Sequence, residues 1–110
     1  MTFVRALGDD ELWVGEMRGL RLEDRRVLLV RTADGVRAFE DRCAHLGLPL
    51  SSGRLDGSVL TCSGHHYQYD AETGQGINPR TVRLRSFAVK VEAGAIFVDL
   101  GATRKEGAVD

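Results

Sequence analysis

The run Val27-Leu28-Leu29-Val30-Arg31, followed by Ala33-Asp34-Gly35 and then Val36-Arg37-Ala38-Phe39, decides the fold class. An Asp-Gly pair between two apolar stretches predicts a β-hairpin, because the turn needs positive φ. Toward the C-terminus, Phe87, Val89 and Val91 alternate with Ala88 and Lys90, the period-two pattern of a strand with one buried face. Glu92-Ala93-Gly94-Ala95 then reads as a turn, and Ile96, Val98 and Leu100 alternate again. Leu12 with Val14, and Val59-Leu60-Thr61, read as further short strands. Asp9-Asp10-Glu11 supports at most one helical turn, and no segment carries a long helical apolar period. Short strands punctuated by turn signals predict an all-β chain, a small antiparallel sandwich or barrel.

Composition narrows the function. The chain of 110 residues is the size of one domain and can bury a core without staples. Fifteen basic residues face sixteen acidic ones, which argues against a nucleic-acid binder or a polybasic membrane-surface protein. The longest aliphatic run, Val27–Val30, is far short of the ~20 residues that a membrane span needs. No basic-then-apolar leader is seen before Asp9, Asp10 and Glu11, so the expected compartment is the cytoplasm.

Charge is unevenly spread. Residues 43–79 hold only Arg54, Asp56, Asp70 and Glu72 as charged side chains, yet contain both cysteines, all three histidines and both prolines. The stretch reads as a loop-rich insert in a regular β base formed by 1–42 and 80–100, within a single domain. The segment 101–110 is small and polar and reads as a flexible tail. In a reducing compartment the pair Cys43 and Cys62 suits metal binding or catalysis better than a bridge, although two unrelated buried thiols would also satisfy the composition.

The neighbours of the cysteines change those odds. Cys43-Ala44-His45 is followed, after sixteen residues, by Cys62-Ser63-Gly64-His65. Each half offers one thiolate and one imidazole, whereas a zinc finger pairs Cys with Cys and His with His. Mixed half-sites suit two metals, one held by sulfur and one by nitrogen, which is the ligand set of a Rieske [2Fe–2S] centre. The chain resembles the Rieske family through this complete Cys-x-His and Cys-x-x-His fingerprint. Leu12-Trp13-Val14-Gly15-Glu16-Met17 and Gly76-Ile77-Asn78-Pro79 are similar to segments of the small ferredoxins of bacterial diiron monooxygenases that oxidise toluene-like aromatics or alkenes. The likeness covers about residues 3–100. It implies a Rieske-type antiparallel β-sandwich base with a small cluster-binding subdomain at 43–79.

The resemblance implies that Cys43 and Cys62 ligate a buried iron, and His45 and His65 an outer iron facing the partner. It also selects His65 over His66, because the family leaves two residues between cysteine and histidine. Two neutral imidazoles in place of two thiolates remove two negative charges, so adding an electron costs less. The expected potential lies within about −150 to +300 mV, against about −400 mV for four-cysteine plant-type clusters. The absence of a further cysteine pair, and Tyr67 where respiratory members place a serine, favour the low end. Tyr69 pulls the other way if its hydroxyl donates to a ligand thiolate.

Other features carry weaker expectations. Leu46-Gly47-Leu48-Pro49-Leu50 is either a loop packed on the base or an apolar rim used for docking. Pro79 is expected to shield the cluster, and Trp13 to be a packing residue. Arg80, Arg83 and Arg85 form a solvated strand face that could steer an acidic partner. Arg25 and Arg26, near a turn, serve solvation. The implied function is a monomeric electron carrier, not an enzyme. It would run between an NADH-dependent flavin and iron–sulfur reductase and a diiron hydroxylase, without nucleic acid or membrane. The alternatives are a ferredoxin of a ring-hydroxylating dioxygenase and, from another class, a structural zinc protein.

Overall fold

Residues 3–43, 49–63 and 67–103 are described by the computed structural model, the last three by their backbone alone. The hairpin at Val27–Phe39 forms as β3 (Arg25–Thr32) and β4 (Gly35–Glu40), paired from Val27↔Glu40 to Thr32↔Gly35. The turn sits one place earlier than Asp-Gly suggests. Ala33 and Asp34 form the loop, and Gly35 at φ 129° supplies the positive φ. The Asp34 N–H donates to Thr32 Oγ1 at 3.1 Å and holds the loop in shape.

Six strands make the base sheet: β1 (Phe3–Gly8), β2 (Met17–Leu22), β3, β4, β9 (Ser86–Glu92) and β10 (Ala95–Thr103). Their order is β1-β10-β9-β4-β3-β2, and the edges β1 and β2 approach each other to leave a nearly closed barrel. The expected all-β class is thus met by a curled sheet carrying a second, smaller one. Ala93 and Gly94, at φ 53° and 77°, make the tight turn between β9 and β10.

The second sheet lies inside 43–79, where the sequence shows mainly loop signals. It consists of β5 (Arg54–Asp56), β6 (Val59–Thr61), β7 (Gln68–Asp70) and β8 (Gly76–Asn78), paired in that order. Each strand has three residues, too few for alternation to declare itself.

β3 explains how the two sheets join. Val27, Leu28, Leu29 and Val30 are all fully buried. Successive side chains point to opposite faces, so Val27 and Leu29 enter the barrel core with Leu12, Phe87, Ile96 and Val98. Leu28 and Val30 enter a second core with Phe39, Cys43, Leu50, Leu60, Cys62, Tyr69 and Leu84. A strand covered on both faces reads as an unbroken apolar run. Each such side chain contributes roughly 1.5–3 kcal/mol by burial.

Several expectations change here. Val14 is exposed and outside any strand, while Leu12 is buried after the single 3₁₀ turn Asp9–Glu11. Trp13 is not a packing residue: it is 70% exposed, because Leu12 takes the inward position. Arg25 and Arg26 do follow a turn, at Glu23 and Asp24, and they open β3, where Arg25 lies 5.9 Å over the Phe87 ring. Residues 80–85, expected in the base, are not a strand of it. They run beside 74–76, with Gly76 N–H donating to Val82 O and Leu84 N–H to Gly74 O, each at 2.8 Å. β10 continues through Thr103, past the expected tail boundary at Leu100, and residues 104–110 lie outside the described residues. Among the described residues no helix is long and apolar enough to cross a membrane.

Candidate metal centre

Two loops bring the cysteines into the second core. Cys43 leaves β4 through Glu40, whose N–H donates to Arg85 O at 2.8 Å, and Asp41, whose N–H donates to Arg26 O at 3.0 Å. The Asp41 side chain is buried and accepts from Ser51 twice, from its N–H and from its Oγ, both at 2.8 Å. The latch joins residues on either side of 44–48. Gly19 of β2 makes room for it, since a Cβ there would lie 2.5 Å from Ser51 Oγ and 2.7 Å from Asp41 Oδ2.

Cys62 follows β6, and its N–H donates to Tyr67 O at 2.8 Å, which ties both ends of the second loop together. The two loops also meet each other. A Cβ on Gly53 would lie 2.0 Å from Thr61 O, so the 3₁₀ turn Leu50–Ser52 rests against the backbone just before Cys62. Ser52 Oγ and Ser63 Oγ are 3.3 Å apart.

Cys43 and Cys62 are buried, unbridged members of one core. Tyr69 is fully buried in the same core, with its hydroxyl 3.5 Å from Cys43 Sγ. At the C-terminal end of β8, Pro79 follows a cis Asn78–Pro79 bond and is half-buried, while Ile77 is exposed. A Cβ on Gly76 would come within 2.3 Å of Pro79 O, so only glycine lets that turn close. Both cysteines and Tyr69 thus share one buried core. His45, His65, His66, Leu46, Gly47 and Leu48 lie outside the described residues. Pro49 is the half-buried N-cap of the 3₁₀ turn, and Leu50 is a buried core residue. Sequence reasoning missed the Asp41–Ser51 latch. Its only trace was an acidic residue two places before Cys43.

A pair of buried thiols served by a buried phenol, on loops braced against each other, fits a sulfur-ligated metal centre better than two inert core cysteines. The family description Rieske [2Fe-2S] domain matches residues 2–88. The chain belongs to the Rieske family. It is similar to the ferredoxin component of the alkene monooxygenase system of Xanthobacter autotrophicus, with 38% identity over 97% of this chain and 88% of that protein. It is also similar to the ferredoxin component of the p-cumate 2,3-dioxygenase system of Pseudomonas putida, 38% identical over 84% of this chain and 81% of that one. Among solved structures it resembles a chain in the complex of reduced oxygenase and oxidised ferredoxin of carbazole 1,9a-dioxygenase. There the TM-score is 0.79 and the identity 31%, over 87% of this chain and 91% of that chain. This Rieske protein carries one [2Fe–2S] cluster, not a single zinc. It is a ferredoxin component of an oxygenase system, an electron carrier and not a catalytic subunit.

Proposed function

We propose that this Rieske ferredoxin carries single electrons from an NADH-dependent flavin and iron–sulfur reductase to the diiron hydroxylase of an alkene- or aromatic-oxidising monooxygenase. The observation that carries the reading is the near full-length likeness to the alkene monooxygenase ferredoxin. In this reading Cys43 and Cys62 hold one iron, and His45 and His65 hold the other. The cluster supplies reversible one-electron chemistry, and the protein tunes and positions it. The second core keeps water from the Cys43 side, and Tyr69 places an O–H dipole against the Cys43 sulfur. A thiolate has no proton to give, so the phenol is the donor. The carrier works as a monomer and must release after each electron, so its docking interfaces are small, below about 1,200 Å².

A second reading replaces the hydroxylase with a ring-hydroxylating dioxygenase. The p-cumate relative and the carbazole dioxygenase complex favour it. Turnover reconstituted with purified reductase and each class of oxygenase separates the two. Coupled oxidation is expected with the diiron hydroxylase, and turnover with the dioxygenase alone would overturn the monooxygenase assignment.

A further inference from the structure

The chain contains two Asp-Gly pairs, Asp34-Gly35 and Asp56-Gly57, and each lies at a hairpin. The dipeptide sits differently in the two. Thr32 pairs with Gly35, so the first loop is Ala33-Asp34 and Gly35 already belongs to β4. Asp56 pairs with Val59, so the second loop is Gly57-Ser58 and Asp56 ends β5. The difference falls on one atom, the amide nitrogen of the glycine. Along an antiparallel strand the N–H groups point alternately to the two sides. Glu40 N–H donates away from β3, to Arg85 O, so Phe39, Arg37 and Gly35 turn theirs toward β3, where Thr32 faces Gly35. Gly57 lies between the paired residues, outside the ladder, and its N–H makes no hydrogen bond among the described residues. Gly57 has φ 65°, and a Cβ there would meet nothing within 4 Å, so the peptide at this tip has room to turn. Asp56, Gly57 and Ser58 are all exposed, and the Asp56 carboxylate forms no ion pair among the described residues.

We propose that Asp56 is a site of spontaneous backbone modification, conversion to isoaspartate, and that Asp34 is not. The Gly57 nitrogen attacks Asp56 Cγ and closes a cyclic imide. The carboxyl gives up one oxygen and the nitrogen its proton, and these leave as water. Water then adds back at either imide carbonyl. Addition at the side-chain carbonyl restores aspartate, and addition at the main-chain carbonyl leaves the chain running through Cβ and Cγ. No oxidant or reductant enters. In Asp34-Gly35 the same nitrogen is held in the β3–β4 ladder and is not free to attack. The product adds one backbone carbon to a strand of three residues. Leu55, directly before Asp56, faces Leu60 across the hairpin and packs against the second core, where Leu60 and Cys62 are fully buried. A longer tip shifts this rung out of register and loosens the core around the two cysteines.

Ageing the holoprotein near neutral pH in heavy-oxygen water tests it, with peptide mapping and protein isoaspartate methyltransferase as the probe. Isoaspartate and heavy oxygen should accumulate in the peptide that holds Asp56, while Asp34 stays unmodified. In the chain unfolded by denaturant neither nitrogen is held, so both sites should convert alike. Asp56→Glu, whose imide closes far more slowly, should lose the signal. Aged wild type should release its cluster to a chelator several-fold faster than fresh protein, and Asp56→Glu should age without that change. No isoaspartate at Asp56 in the folded protein, or conversion of Asp34 at the same rate, would overturn the site. A preference for Asp56 that persists in the unfolded chain would show that sequence and not hairpin position decides, and the geometric argument would fail. Equal cluster release from aged and fresh protein would overturn the link to the cysteine core.

Discussion

In the base, β3, β9 and β10 are seven to nine residues long, and the sheet curls until its edges approach. In the small sheet every strand has three residues, and one side of its core is borrowed from β3 and β4 through Leu28, Val30 and Phe39. The base can be held by its ladders and its own core. The small sheet needs the base, the Asp41–Ser51 latch and, in our reading, the metal. Three-stranded or larger sheets need an apolar face packed on something for stability, and here most of that face surrounds two thiols. The region that carries the candidate site is therefore the region least able to stand alone.

The largest expected effect tests that division directly. Cys62→Ser should give a colourless protein without the reduced-state EPR signal, because metal binding and local folding are coupled. Amide exchange should then accelerate in β6 and β7 while β3 and β10 remain protected. Equal protection in both sheets would show that the small one is self-sufficient.

Neighbouring residues on β3 sharpen the contrast. Leu28 and Leu29 are both fully buried but face different cores. Each change to alanine should cost about 2–5 kcal/mol in denaturant unfolding. Only Leu28→Ala should also hasten bleaching of the cluster under conditions where the base stays folded. Equal bleaching in Leu29→Ala would mean that the two cores act as one unit.

A smaller effect is expected at the latch. Asp41→Ala leaves the Ser51 N–H and hydroxyl without their acceptor, at a cost of about 1–3 kcal/mol. Ser51→Ala removes only the Oγ bond and should cost about 0.5–1.5 kcal/mol. Both should appear as faster cluster loss, with Asp41→Ala the faster, measured by absorbance decay against a chelator.

The same contrast governs what the sequence makes legible. β9 and β10 show themselves because Phe87, Ile96, Val98 and Leu100 repeat along strands long enough to display a period. The small strands do not, yet the two cysteines that share their core do, because Cys43 and Cys62 are chemically rare and keep short spacings to histidines in the sequence. Trp13 misleads because hydrophobicity alone cannot tell which of two adjacent large residues, Leu12 or Trp13, turns inward. Val82 and Leu84 alternate with Arg83 and Arg85 as in a strand, but they pack on the second core and pair only locally. The Asp41–Ser51 bond spans ten residues and depends on the bare Gly19 of another strand, so no local pattern signals it.

Tyr69 gives the smallest effect and the finest probe of how the second core serves the metal. Its hydroxyl sits 3.5 Å from Cys43 Sγ in a core from which water is excluded. Reduction adds negative charge to the cluster and its sulfurs, so a hydrogen bond to the thiolate stabilises the reduced state more than the oxidised one. Removing it should lower the midpoint. A difference of about 1 kcal/mol between the two states, a typical net hydrogen bond, corresponds to roughly 40 mV for one electron. Tyr69→Phe keeps the ring and its packing, so the shift should come without loss of iron and with little change in unfolding. Potentiometry on wild type and variant in the same buffer decides it. An unchanged midpoint would mean that the phenol serves packing alone, and the small sheet would then hold the cluster without tuning it through that side chain.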